Sequence, residues 1–103
     1  MLNQAEIQKI KELLLEEQKI EKIILFGSYA RESADQYSDV DLMVITEDIP
    51  DRVAVMRKLR QKLLVLPYDF DVLAVTPDEF ERDSQITGTI ARYVAQDGKI
   101  IYG

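Results

Sequence analysis

The sequence contains no cysteine, no histidine and no tryptophan. Without cysteine there is no disulfide and no thiolate metal site. Without histidine there is no imidazole ligand, no Ser-His-Asp triad and no general base of the usual kind. A metal bound here must be held by oxygen, which favours Mg²⁺, Mn²⁺ or Ca²⁺ over Zn²⁺. No apolar run approaches the ~20 residues that cross a bilayer. The opening stretch mixes charged and apolar residues and does not form a signal peptide. A cytoplasmic protein with no membrane partner is expected.

What is present suits one globular domain over residues 1–103, with 47% hydrophobic and 31% charged content. The formal net charge is −6. Phosphate backbones are gripped by clustered Lys and Arg, so stable nucleic-acid binding is not expected. Acidity of this kind serves solubility, or places several carboxylates at a cation site.

The chain divides into alternating helices and strands. Asn3 and Glu6 fit a capping box ahead of a helix over 4–18. "KIILF" (22–26) reads as a strand that stops at Gly27-Ser28, and a short helix is expected to begin at Ser28. Tyr29 and Tyr37 read as packing groups. "VDLMVI" (40–45) is a second strand. Pro50 suits the first position of the next helix, along which Val53, Met56, Leu59, Leu63 and Leu66 recur until Pro67. "YDFDVLAV" (68–75) is a third strand, followed by a capping box at Thr76 and Glu79. A helix through 80–96 is expected despite Gly88, then "KIIY" (99–102) as a last strand. The order α-β-α-β-α-β-α-β implies an α/β (α+β) fold, a mixed sheet of about four strands carrying helices.

The chemistry concentrates where two strands open with acids. Side chains on a strand alternate between faces, so Asp39 and Asp41 point the same way. Like charges so close raise each other's pKa unless a cation neutralises them. Asp69 and Asp71 repeat the pattern on the third strand. Asp71 lies deeper in its apolar run and is the preferred third carboxylate, with Asp69 as the alternative. Three carboxylates around two ions suit in-line phosphoryl or nucleotidyl transfer, with metals ~3.5–4 Å apart. The acid nearest the nucleophile can serve as general base. Gly27 lets backbone approach a phosphate, Ser28 offers N–H and hydroxyl groups, and Arg31 can pair with a triphosphate tail. Taken singly, each piece has an ordinary reading as a turn, a strand edge or a solvated residue.

Together, "ILFGSYARE", "YSDVDLMVI" and "YDFDVLAVTPDEF" resemble the signature of the DNA polymerase β-like nucleotidyltransferase superfamily. The likeness extends from about residue 20 to 102 and is similar to its small branch, the minimal nucleotidyltransferases. The resemblance implies the polymerase β-like fold, ATP as substrate and Mg²⁺, two ions, as cofactor. It implies that Asp39, Asp41 and Asp71 are catalytic metal ligands and that Gly27, Ser28 and Arg31 contact the nucleotide. One departure is visible: the family often has Gly after this Arg, where the chain has Glu32. Members of the branch are commonly antitoxins paired with a HEPN-type toxin, and some transfer AMP to a tyrosine of that toxin.

The leading expectation is therefore Mg²⁺-dependent transfer of AMP from ATP to a hydroxyl, a tyrosine of a HEPN toxin partner. A pure binding antitoxin and a small-molecule transferase of the aminoglycoside type are the rival functions. Assembly with itself or with another chain stays open.

Overall fold

The computed structural model describes residues 2–103. Four strands form one mixed sheet: β1 (Lys22–Phe26), β2 (Val40–Ile45), β3 (Phe70–Val75) and β4 (Lys99–Tyr102), in spatial order β3-β2-β1-β4. β1 pairs antiparallel with both β2 and β4, while β2 and β3 run parallel. The parallel pair requires a crossover, which α2 (Arg52–Lys62) supplies. The other helices are α1 (Gln4–Glu17), α3 (Pro77–Asp83) and α4 (Ile90–Asp97).

Both expected capping boxes form. Asn3 accepts from the Glu6 N–H while Glu6 returns to the Asn3 N–H, and Thr76 and Glu79 do the same for α3 with Pro77 in the first turn. Three local expectations change. The segment after Gly27 makes only a 3₁₀ turn, Gly27–Tyr29, before entering a loop. Pro50 lies ahead of the cap, because the Asp51 carboxylate accepts from the Ala54 N–H and starts α2 at Arg52. The helix expected through 80–96 breaks in two, with Gly88 at φ +94° between α3 and α4. Tyr37 is 84% exposed, against the expectation that it packs, whereas Tyr29 is buried.

The two faces of the sheet are covered unequally. Ile10, Leu13 and Leu14 of α1 and Val55 and Leu59 of α2 bury one face, against Ile23, Leu25, Val40, Leu42, Val44, Phe70, Val72 and Ala74. The buried face of α2 is thus Val55 and Leu59, and Leu63, just past its end in the following 3₁₀ turn, continues the i, i+4, i+8 stripe. Val53, which the periodicity places inside, is 60% exposed. The opposite face has a smaller cluster of Ile24, Met43, Ile45 and Val94, flanked by Leu73, Val75, Phe80 and Tyr93. On β2 and β3 that cluster covers the C-terminal halves only.

Thr46, fully buried at the end of β2, ties that strand to the segment after α1. Its hydroxyl donates to the Lys19 carbonyl at 2.6 Å and accepts from the Gln18 amide at 3.0 Å. Thr46→Val keeps the shape and removes both bonds, so the Lys19 carbonyl loses this donor while the Gln18 amide keeps its bond to the Asp48 carbonyl at 2.6 Å. A loss of about 1–3 kcal/mol in denaturant unfolding is expected.

Candidate active site

The strand register assembles the acids. Asp41 of β2 pairs directly with Asp71 of β3, and with Phe26 of β1 on the other side. Paired residues of adjacent strands share a face, so both carboxylates emerge where the α3/α4 cluster stops short. Asp39 stands one residue before β2 and is exposed. Asp69, also exposed, precedes β3, and its carbonyl accepts the Val40 N–H at 2.8 Å. The register therefore sets Asp71, not Asp69, opposite Asp41.

Burial raises the pKa of Asp41 above its ordinary 3.8, and the charges of Asp71 and Asp39 raise it further, while Arg31 opposes them. Asp41 is thus the electrostatic centre of the group. Among the described residues no three acids already converge tightly enough to enclose an ion. The donor chemistry nonetheless fits a hard divalent cation: oxygen ligands only, with mutual repulsion that a cation would relieve.

Gly27 has a function in this geometry that the sequence did not reveal. Its φ is +75°, and a Cβ placed there would lie 2.2 Å from Asp41 Oδ2. The close approach is therefore between Gly27 and the Asp41 carboxylate, before any phosphate is considered. Ser28 is half-buried; its carbonyl accepts from the Ser33 N–H at 2.9 Å, and its hydroxyl makes no hydrogen bond among the described residues. One 3₁₀ turn follows instead of a helix, so peptide N–H groups and this hydroxyl, without a long helix dipole, are what the bend presents.

Arg31 donates to the Tyr93 hydroxyl of α4. Tyr93 is a site neighbour that sequence reasoning missed, since its partner lies far away along the chain and no local pattern marks it. Glu32 adopts φ +58°, the left-handed conformation that glycine occupies at little cost. This accounts physically for the glycine common at that point in the resembled family. The Glu32 carboxylate turns to Lys99 Nζ at 3.6 Å, an exposed pair.

The family model described as "Polymerase beta, Nucleotidyltransferase" matches residues 8–103. The chain belongs to this family. Among its relatives is a Methanocaldococcus jannaschii protein bearing a protein adenylyltransferase name, 34% identical over 84 residues, covering 82% of this chain and 80% of that protein. A second from the same organism, similarly named, is 40% identical over 70 residues, but the match spans 53% of this chain and only 48% of the relative. In a crystal structure of a toxin–antitoxin with AMP-PNP, one chain superposes with a TM-score of 0.72 at 28% identity, over 94% of this chain and 73% of that one. A structure of tri-AMPylated Shewanella oneidensis HEPN toxin with its MNT antitoxin gives 0.68 at 26% identity, over 99% of this chain and 73% of that one. The polymerase β-like fold and the mixed four-stranded sheet agree with the reading of the sequence.

Two outcomes are expected here. The folded state holds the Asp41 proton more tightly than the unfolded chain, so Asp41 weakens the metal-free fold once pH rises above its unfolded value and beyond its raised folded value. In metal-free buffer at neutral pH, Asp41→Asn should therefore melt at a higher temperature than the parent. The gap should close as pH falls through the carboxylate range toward 3.8. Gly27→Ala meets both the clash and the left-handed φ and should lose roughly 1–3 kcal/mol. Removing the carboxylate as well, in Gly27→Ala with Asp41→Ala, should recover part of that loss in chemical unfolding.

Proposed function

We propose that the protein is a Mg²⁺-dependent adenylyltransferase that moves AMP from ATP to a hydroxyl, a tyrosine of a HEPN-type toxin, and so acts as that toxin's antitoxin. The observation that carries this reading is the Asp41–Asp71 register beside Gly27, with Asp39 in electrostatic reach. The protein adenylyltransferase relatives and the toxin–antitoxin neighbours support it.

In this reading Asp39, Asp41 and Asp71 hold the Mg²⁺. Bound there, Mg²⁺ neutralises the triphosphate and lowers the pKa of an attacking oxygen. The acceptor oxygen forms a bond to the α-phosphorus, the bond from that phosphorus to the β-bridging oxygen breaks, and pyrophosphate leaves. Asp71 lies on the outermost of the two acid-bearing strands and receives the acceptor proton. Ser28 and the peptide groups of the bend hold phosphate oxygens. Arg31, steadied by Tyr93, pairs with the triphosphate tail.

The test uses the full chain, ATP, Mg²⁺ and the co-purified toxin partner, with the partner weighed by mass spectrometry. A mass gain in whole AMP units is expected. Asp39→Asn with Asp41→Asn should reduce it by more than about 100-fold, since even outer-shell changes at metal sites cost 10–100-fold. Mg²⁺ should raise the melting temperature of the parent and leave the double variant unmoved. An unmodified partner whose toxicity is still neutralised would replace catalysis with inhibition by contact.

A further inference from the structure

The outer edge of β3 is the strongest feature that the transfer chemistry leaves unused. β3 ends the sheet, with no strand beyond it among the described residues. The Val40 N–H donates to the Asp69 carbonyl and the Thr46 N–H to the Val75 carbonyl, at 2.8 and 3.0 Å. A parallel ladder alternates direction from residue to residue, so Phe70, Val72 and Ala74 turn their peptide groups outward. The Ala74 carbonyl is already taken by Arg52 Nη1 at 2.6 Å, and Arg52 is braced by Glu79 at 2.7 Å. Among the described residues no hydrogen bond from outside the sheet reaches Phe70 or Val72.

A groove of about 480 Å³ runs along this edge. Asp71 belongs to its wall on the β3 side, and Val53, Met56, Arg57, Arg60 and Leu64 line the other. Val53 and Leu64 are 60% and 75% exposed, an apolar surface without cover. Arg57 and Arg60 make no ion pair among the described residues, unlike Arg52 and Arg82. Two unpaired guanidinium groups beside an open strand edge, in a chain of net charge −6, select an acidic guest.

We propose that this edge is the acceptor track: an extended acidic and apolar segment of the modified protein adds to β3 as a fifth strand, its carboxylates on Arg57 and Arg60. The proposal rests on the transfer reading above and names how the acceptor is presented. Added strands lie about 4.8 Å from their neighbour and match its alternation. A tyrosine level with Asp71 therefore projects from the face that carries Asp41 and Asp71. The Arg52 plug at Ala74 stops pairing at one end and fixes where the guest strand lies.

The probe is a fluorescein-labelled random Glu/Tyr copolymer, with a Lys/Tyr copolymer as control, bound to the full chain and followed by anisotropy. The Glu/Tyr polymer should bind at least tenfold more tightly than the control, and Arg57→Glu with Arg60→Glu should erase that advantage. Amide exchange across 70–74 should slow on binding, and AMP-PNP affinity with Mg²⁺ should stay within twofold in the double variant. No Glu/Tyr binding, equal binding of the two polymers, binding indifferent to the double reversal, or exchange unchanged at β3 would each overturn the proposal. So would a parallel loss of AMP-PNP affinity, which gives the groove to the nucleotide, or dissociation of a dimer, which gives it to a second copy. Binding needs no chemistry, which keeps the two readings separable. Arginine-dependent binding without AMP incorporation from labelled ATP rejects the transfer reading alone.

Discussion

Asp41 and Asp71 meet across a parallel strand pair on a face that helices cover only in part. The fold has to keep two carboxylates together where burial already disfavours charge on one of them. It does so by placing the cost at the rim of a sheet whose other face is closed by α1 and α2. Most of the buried apolar surface lies in that closed layer, and the open layer carries the charge. A cation would turn the repulsion among the acids into coordination, so the arrangement that weakens the empty fold favours binding.

The loop from Gly27 to Ser38 bends round these acids, and its contacts come from distant parts of the chain. Arg31 reaches α4 through Tyr93, and Glu32 reaches β4 through Lys99. Both anchors sit in the last fifteen residues, so the C-terminal helix and strand orient a loop formed much earlier in the sequence. The exposed Glu32–Lys99 pair adds little energy by itself. Its consequence is directional, since it draws an acidic side chain to β4 and leaves Arg31 as the cation that acts on Asp41.

Much of the architecture was legible because the signals were local. Capping boxes at Asn3 and Thr76 and the second strand at 40–45 came directly from residue order, and the third, read as 68–75, forms over Phe70–Val75. The pairing of Asp41 with Asp71 was half legible: alternation placed each acid on a face, but only the crossover by α2 sets the register between them. What stayed hidden was non-local or depended on backbone shape. On α2 the period named Leu59, Met56 and Leu63, which do pack on the core, but it chose Val53 where Val55 is the buried residue, because the sheet lies on that side. The turn at Gly27 stays short, with Glu32 already in the left-handed region at φ +58°. No sequence pattern announces Tyr93 as the companion of Arg31.

The close approach of Gly27 and Asp41 constrains how the two positions can change. A side chain at the first position and a carboxylate at the second compete for the same space. A lineage that abandons catalysis and keeps only a scaffold loses the need for the acid, and then nothing but the turn itself holds the glycine. The two positions should drift together, so a homologue with a bulky residue at the bend has in all consistency given up the carboxylate too. The bend then serves as a readable record of whether a family member still works as a catalyst.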